Sequence, residues 1–196
     1  AGGMEVKDPA NMIGYNFRMT EIQAAIAEKQ LDKLEAINSD RQHYAEYVNR
    51  ELEGIDGIQT PKVRAACTHV YYNYAVLTDP EKLGLPRDLM TRALQAEGIP
   101  VWSGYVQPLY SYPVFQQKGI YGDKECPFHC PFYKGTIPNY KSGLCPVTED
   151  INDKIVCMQD LRGNLNEEDL DQIVRAYYKI VDNKQKILEY AQTKAR

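Results

Sequence analysis

Residues 14–25 read GYNFRMTEIQAA, a glycine-led loop that runs directly into the start of a helix. Thr20 and Gln23 match a capping box, in which Thr20 caps the helix and the side chain of Gln23 reaches back to the cap residue. The apolar pattern that follows predicts one long helix to about Glu53, with Gly54 as its stop. Unbroken, about 34 residues would span roughly 50 Å, and the polar run 38–40 could interrupt them.

Outward from this helix, short strands and helices alternate. Residues 55–60 and the run 70–77, rich in aromatic and β-branched side chains, are predicted strands. A helix is predicted from Pro86, at its first position, to Glu97, and residues 101–106 are the next predicted strand. This succession of strand, helix and strand favours an α/β or α+β layer.

The C-terminal half begins with the least regular part of the chain, residues 107–145, which is rich in proline, glycine and aromatic side chains. Long irregular stretches in compact domains are usually functional or disordered, and the aromatic content argues against simple disorder. A helix over 147–154 and a strand over 155–158 are predicted next. Asn166 then caps one last helix that runs to the lysines near residue 194.

Charge and composition exclude several classes of protein. The 196 residues carry 23 basic and 27 acidic side chains, a net charge of −4, so the chain lacks the basic surplus of a general nucleic-acid binder. No run approaches the roughly 18 apolar residues of a transmembrane helix, so we expect no membrane span. The five cysteines, an odd number, are interpreted as reduced thiols in a cytoplasmic protein.

Two polar motifs are candidate binding sites, each with a plainer alternative. Asn16 and Arg18 stand just before a helix N-terminus and could hold a phosphate; alternatively, they tie the loop to the protein's own carboxylates. The segment from Cys126 to Cys145 holds ligands of the type that zinc prefers. Its spacing departs from the paired C-x₂-C arrangement, so we expect packed thiols and no metal.

The aromatic strand and the loop after the following strand supply the other candidates. His69 could donate a hydrogen bond or act as an acid or base in a pocket, or be a structural residue at the start of a strand. Gly104 permits close approach of a ligand, and Tyr105 and Tyr110 bring hydroxyls to the same loop. The alternative there is a bulge with tyrosines packed over the core. No nucleophile has a base beside it, so no catalytic residue is assigned.

Taken together and in this order, the motifs resemble those of the DegT/StrS-type sugar aminotransferases, pyridoxal-phosphate-dependent enzymes of fold type I. Residues 14–25 are similar to the family signature G-Y-N-x-R-M-T-E-x-Q-A-A. The pattern His69-x-Tyr71-x-x-Tyr74, the Pro108-Leu109 loop and the run CPVTE at 145–149 follow in the family's order. The resemblance covers the chain from about residue 11 and matches the C-terminal part of the family only.

The resemblance implies a fold and a division of the chain. The fold class is α/β with an α+β small domain, in which a long connecting helix is followed by a small sheet flanked by helices. Residues 1–19 would be the tail of the large cofactor domain, 20–54 the connecting helix and 55–196 the C-terminal small domain. The family's Schiff-base lysine belongs to the large domain, and no lysine here lies in the matching motif. The chain alone is therefore expected to be inactive.

The resemblance also implies partners and residue roles. Family members are homodimers with active sites at the subunit interface, and they move an amino group from glutamate or glutamine to a keto-sugar or keto-cyclitol. Asn16 is carried over as a contact of the cofactor phosphate, and Arg18 as a phosphate or substrate contact. Substrate contacts are expected from Tyr15, His69, Tyr71, Gly104, Tyr105 and Tyr110.

The chain departs from the family pattern at two places. Many members have His-Tyr where this chain has Gly104-Tyr105, and Pro-Leu-His where it has Pro108-Leu109-Tyr110. The loss of both histidines predicts a less basic pocket, which favours a cyclitol or another free polyol ketone over a nucleotide-linked sugar. Two other hypotheses stay open: a non-catalytic binding or regulatory module that retains the small-domain fold, and a zinc-stabilised interaction domain.

Overall fold

The computed structural model describes residues 17–116, 133–136, 139–159 and 161–194. The chain divides into two compact units, Ala1–Ala36 and Ile37–Arg196. Four strands are present in the described part: β1 (Ile58–Gln59), β2 (Tyr74–Thr78), β3 (Val101–Ser103) and β4 (Ile155–Met158). Its helices are α1 (Glu21–Leu31), α2 (Leu34–Leu52), α3 (Pro80–Leu83), α4 (Arg87–Ala96), α5 (Pro113–Gln116), α6 (Pro146–Lys154), α7 (Glu167–Asp182) and α8 (Lys184–Lys194), with a 3₁₀ turn at Leu109–Ser111.

The four strands form one antiparallel sheet in the order β1-β2-β4-β3. The last strand in the chain, β4, lies at the centre: Val156 pairs with Val76 of β2 on one side and with Ser103 of β3 on the other. Together with the helices, this sheet confirms the predicted class of a small sheet flanked by helices.

The core of the second unit lies between this sheet and the apolar faces of three helices. In α2 the buried residues are Tyr44, Ala45, Val48 and Leu52, which recur at the spacing of one helix face. The remaining core comes mainly from α4, α7 and the two central strands: Met90, Leu94, Leu170, Ile173, Tyr177, Ile180, Tyr74, Val76, Val156 and Met158. Tyr178 also links α7 to α2, because its hydroxyl donates to the carbonyl of Glu51 at 3.0 Å.

The predicted capping box is present at the start of α1. The hydroxyl of Thr20 accepts a hydrogen bond from the backbone N–H of Gln23, and the Gln23 side chain accepts one from the Thr20 N–H at 2.9 Å. The long helix is interrupted at Asp32-Lys33, whereas residues 38–40 are helical, so the expected position of the break was wrong. Every described residue from 17 to 36 is exposed, including all of α1.

Three predicted strands are shorter in the structure. The strand expected over 55–60 is reduced to Ile58–Gln59. The strand expected over 70–77 begins at Tyr74, because Tyr71 has a left-handed backbone with φ of +46° that no regular strand accepts. The strand expected over 101–106 ends at Ser103, because Gly104 turns the chain with φ of +73°. His69 therefore precedes β2 and does not start it.

Helix ends also differ from expectation. Pro86 is the N-cap of α4, with an extended backbone, and not its first helical residue. The single last helix is in fact two, α7 and α8, with Asn183 as the C-cap between them. Its side-chain amide donates to the carbonyl of Lys179 at 2.8 Å and so satisfies a helix-end acceptor. The box that Asn166 and Asp169 form at the start of α7 confirms the predicted cap.

The irregular region 107–145 contains the short 3₁₀ turn and α5 in its described part, which the sequence pattern did not predict. Among the described helices, none has both the length and the apolar character needed to cross a membrane.

Candidate functional site

A polar pocket of about 490 Å³ lies where the loop after β3 meets α6. Its described lining comes from the loop and the 3₁₀ turn, from Gln116 of α5, from α6, and from Tyr140 and Ser142 of the irregular region. The lining residues are Gln107, Pro108, Tyr110, Ser111, Gln116, Tyr140, Ser142, Glu149, Asn152 and Asp153. Loop residues held by regular elements are typical of ligand sites.

Glu149 ties the walls of this pocket together. Its carboxylate accepts hydrogen bonds from the hydroxyl of Tyr110 and from the hydroxyl of Ser142, the second at 2.8 Å. The backbone N–H of Gly143 also donates to both carboxylate oxygens, at 2.8 and 3.0 Å. Glu149 stands in the first turn of α6, where the helix dipole favours a negative charge. The carboxylate is thus saturated with donors, so it positions the loop and is not a free acid or base.

These hydrogen bonds shift the pKa values of both partners. The bond to Glu149, together with burial and the nearby negative charge, raises the pKa of Tyr110 to about 12. The hydrogen bond from Tyr110, followed by those from Ser142 and Gly143, lowers the pKa of Glu149. At neutral pH the tyrosine therefore stays a donor and the carboxylate stays charged.

Gly104 lies buried beside the same pocket. A Cβ atom built on it would lie 3.3 Å from Oδ1 of Asn152, which lines the pocket, and 3.8 Å from a guanidinium nitrogen of Arg87. That guanidinium donates to the backbone carbonyl of Asn152 at 2.5 Å and pairs with Asp88 at 2.8 Å. Glycine at position 104 thus leaves room for the side chain of Asn152 at the pocket wall.

A second cluster surrounds the aromatic motif before β2. The backbone N–H of Tyr71 donates to Nδ1 of His69 at 2.8 Å, and the two rings lie 4.2 Å apart. Because Nδ1 is an acceptor here, neutral His69 carries its proton on Nε2, which leaves one donor on an exposed ring. Burial raises the pKa of Tyr71, opposed by a hydrogen bond from Asn49. Backbone strain of the kind seen at Tyr71 recurs at functional sites.

The structure brings some of the predicted site residues together and leaves others apart. His69 and Tyr71 are in direct contact, whereas Gly104 and Tyr110 flank the pocket beside α6. Tyr105 is exposed and is not among the residues that line this pocket in the described part of the chain. Arg18 is exposed and precedes α1.

Tyr15 and Asn16 lie outside the described residues, and so do most of the candidate zinc ligands, which come before residue 133. Within the described part, no group of three or more His, Cys, Asp or Glu side chains is arranged to hold a metal ion.

Glu149 and Asn152 were missed at the level of sequence. Tyr110 and Glu149 are 39 residues apart, and no periodic pattern connects them. The one local signal was an acidic residue three positions after Pro146, which is typical of any helix start and says nothing about a distant tyrosine.

Comparisons with known proteins identify a family and several similar chains. The model of the DegT/DnrJ/EryC1/StrS aminotransferase family matches residues 3–137. The chain is 28% identical over 159 residues to the spore coat polysaccharide biosynthesis protein SpsC of Bacillus subtilis, covering 80% of this chain and 39% of that protein. It is 32% identical over 117 residues to the L-glutamine:2-deoxy-scyllo-inosose aminotransferase of Streptomyces kanamyceticus, covering 59% and 27%.

Among solved structures, the aminotransferase of Psychrobacter cryohalolentis has a similar fold, with a TM-score of 0.68 at 21% identity over 88% of this chain and 41% of that one. The chain spans about two fifths of the length of the curated relatives that match most of it.

Proposed function

The chain belongs to the DegT/DnrJ/EryC1/StrS aminotransferase family, and from this premise we propose that it is the C-terminal part of a pyridoxal-phosphate-dependent aminotransferase. The complete enzyme moves an amino group from glutamate or glutamine to a keto-sugar or keto-cyclitol. The observation that carries the proposal is the family match over residues 3–137, which includes the motif GYNFRMTEIQAA. The name of the Streptomyces relative supports glutamine as the donor and an inosose-type acceptor.

The residues before α1 have the chemistry that a cofactor phosphate requires. Arg18 is exposed and carries a planar, permanently charged donor group suited to a phosphate dianion. We assign it to the phosphate together with Asn16, which lies outside the described residues. Bound pyridoxal phosphate supplies the electron sink that stabilises the carbanion formed at the amino donor. In the complete enzyme, the residues of this chain hold the cofactor phosphate and orient the acceptor.

The first compact unit supports the idea that further protein covers α1. Its exposed apolar side chains include Ile22, 75% exposed, and Ile26, 59% exposed, one helical turn apart in α1. Apolar residues this exposed on adjacent turns are typical of a surface that packs against another chain or domain. We therefore propose a homodimer, in which 1–19 ends the large cofactor domain, 20–54 connects the two domains and 55–196 is the small domain.

The location and the activity of the chain alone are also part of the proposal. Cys67, Cys145 and Cys157 are free thiols, which supports a reducing, cytoplasmic location. None of the lysines lies in the family's Schiff-base motif, so the 196 residues by themselves are inactive.

The experiment compares the full-length gene product with the 196-residue chain, both incubated with pyridoxal phosphate. The full-length protein is expected to show the Schiff-base absorbance and to turn over glutamate or glutamine with a keto-cyclitol, whereas the chain alone does neither. If the full-length protein does neither, the proposal is wrong. If the chain alone turns over the donor, the assignment of the Schiff-base lysine to another part is wrong.

A matched pair of variants tests the assigned phosphate contact. Asn16→Ala in the full-length protein is expected to speed release of the cofactor on dilution, because one hydrogen bond to the phosphate is lost. Asn38→Ala, in the second turn of α2, is the control and leaves the release rate unchanged.

A further inference from the structure

A groove of about 750 Å³ lies between α4, the end of α7 and α8, and it shares no described lining residue with the pocket beside α6. Leu89 and Ala93 are four residues apart on α4, and Ile187 and Ala191 are four residues apart on α8. Each pair therefore lies on one face of its helix. All of the described lining belongs to the second compact unit, so this unit forms the groove by itself.

The floor of the groove is apolar and is supported by the core. Leu89, Ala93 and Ile187 pack against the buried core of the unit, and Ile180 is part of that core. Tyr190 is the one aromatic residue of the described lining, and 64% of its surface is exposed. A ligand that covered this ring would gain the free energy of removing apolar surface from water.

The rim of the groove is positively charged. Four of its described lining residues are basic, Arg92, Lys179, Lys186 and Lys194, and one is acidic, Glu97. Lys179 donates to the carboxylate of Glu97 at 2.7 Å, and these two charges cancel. The described lining therefore has a net charge of +3, in a chain whose own net charge is −4. The charge of the groove thus favours an anion.

The two lysines of α8 make contacts with neutral groups. The Nζ atom of Lys186 donates to Oδ1 of Asn183 at 2.9 Å, and the Nζ atom of Lys194 lies 5.8 Å from the ring centre of Tyr190. Because an amide and a phenol ring are uncharged, neither contact cancels the ammonium charge. A lysine side chain can lay its stem on apolar surface while its ammonium group meets an anion in water. Both lysines are therefore suited to hold the anionic end of a ligand.

The size of the groove favours a small molecule over a protein partner. Its volume of about 750 Å³ is within the range of about 300–1,000 Å³ that is usual for ligand pockets. The wall formed by the 11 residues of α8 is about 16 Å long. In the described part of the chain 13 residues line the groove, whereas a stable protein interface takes about 20–30 residues from each side.

We propose that this groove binds a small amphipathic anion, a molecule that carries a carboxylate or sulfonate group on an apolar chain or ring system. The apolar part lies on Leu89, Ile187 and the ring of Tyr190, and the lysines of α8 hold the anionic group. This site goes beyond the proposed function, because none of the groove residues is a predicted contact of the cofactor, the amino donor or the acceptor.

The experiment is a fluorescence titration of the full-length gene product, saturated with pyridoxal phosphate, with anilinonaphthalene sulfonate as the anionic probe. Phenylnaphthylamine, which has the same ring system without the sulfonate, is the neutral match. Both dyes fluoresce on apolar surface, and the sulfonate is expected to bind about fivefold more tightly, as two exposed ion pairs allow. Decanoate, a carboxylate on an apolar chain, is expected to displace the sulfonate dye, whereas glutamate, which lacks such a chain, is not.

Three variants locate the binding site of the dyes. Lys186→Gln combined with Lys194→Gln is expected to weaken binding of the sulfonate about fivefold and to leave the neutral dye unchanged. Tyr190→Ala is expected to weaken binding of both dyes, because it removes part of the apolar floor. The control combines Lys82→Gln with Lys154→Gln, which removes the same charge outside the groove, and both titrations are expected to stay unchanged. The three groove side chains that are replaced are exposed, so their variants are expected to fold.

Each other outcome overturns the proposal. It is wrong if the two dyes bind equally tightly, if the double lysine variant and the control behave alike, or if Tyr190→Ala leaves both dyes unchanged. It is equally wrong if decanoate does not displace the sulfonate, or if glutamate displaces it as well as decanoate does. A part of the full-length protein that covers the groove would make the titrations insensitive to these variants and would also refute the site. The readout needs no turnover, so a full-length protein without aminotransferase activity would refute the proposed function and leave this site standing.

Discussion

Replacing Gly104 by alanine tests whether the side chain of Asn152 in the pocket wall needs the space that glycine leaves at position 104. The backbone at Gly104 has φ of +73°, and the new Cβ would lie 3.3 Å from Oδ1 of Asn152. The substitution therefore combines two costs, a strained backbone and a contact that the asparagine must relieve. Gly98→Ala separates them, because Gly98 has φ of +87° and no atom within 4 Å of its added Cβ.

The two costs have different sizes. A left-handed backbone costs an alanine about 1–2 kcal/mol, and the lower entropy of the unfolded chain returns about 0.4–1 kcal/mol. Gly98→Ala should thus lower the free energy of unfolding by about 1 kcal/mol. Gly104→Ala adds the crowding of Asn152, about 1 kcal/mol at the lower end of overpacking costs, for a total of about 2 kcal/mol.

The assay is equilibrium unfolding in urea, followed by the fluorescence of Trp102, which lies in β3 two residues before Gly104. A third variant combines Gly104→Ala with Asn152→Ala and so removes the crowded side chain. Relative to Asn152→Ala alone, this double variant should lose only about as much free energy of unfolding as Gly98→Ala loses relative to the parent. The reasoning is refuted if Gly104→Ala and Gly98→Ala are equally destabilised, or if the double variant keeps the full cost. A Gly98→Ala protein more stable than the parent would refute the backbone argument itself.

Three further variants test the core and the pocket. Tyr74→Phe removes the 2.9 Å hydrogen bond to Oδ1 of Asn49 and should lower the free energy of unfolding by about 1 kcal/mol; the same change in an Asn49→Ala background should cost nearly nothing. Leu94→Ala, at a fully buried position of α4, should cost about 3 kcal/mol in urea unfolding, and a loss below 1 kcal/mol would contradict its place in the core. The pKa of Glu149 in the folded protein is below its ordinary value of 4.5. The charged carboxylate therefore stabilises the fold at pH values above 4.5. This stabilisation is lost as the pH falls through the folded-state pKa. Glu149→Gln should accordingly lower the Tm at pH 7, and the difference from the parent should shrink below pH 4.5; a constant difference from pH 7 to 3 would be contrary to this assignment. In the parent, ring-carbon NMR should find Tyr110 still protonated at pH 11, whereas in Glu149→Gln it should ionise nearer pH 10.

Local signals explain which parts of the fold could be predicted from sequence. The boxes at Thr20 and Asn166 depend on residues three positions apart, so sequence alone located both helix starts. The strand Ile155–Met158 is a short apolar run, and it was predicted with its observed bounds. The motif at 14–25 located the family, because its residue order is specific.

The misses have physical causes that act over longer distances or through a single residue. The start of β2 was misplaced because the left-handed backbone of Tyr71 is held by a ring two residues away, which no strand pattern reveals. The break between α7 and α8 at Asn183 was missed because the residues on both sides of it have a helical sequence pattern. In the pocket, Tyr110 was a candidate because of its position after a strand. The role of Glu149 could not be predicted, because its hydrogen-bond partner Tyr110 lies 39 residues away in the sequence.

The central place of β4 in the sheet has a consequence for synthesis on the ribosome. Both β2 and β3 pair with β4, so neither can complete its pairing until Met158 has left the exit tunnel. About 55 residues separate β3 from that point, which takes roughly 3 to 11 s at translation rates of about 5–20 residues per second. For that interval β3 is unpaired and β2 is paired on its β1 side alone, so Val76 and Val101 lack their partners in β4. Holding chaperones should therefore associate with nascent chains in which residue 103 has left the exit tunnel and residue 158 has not.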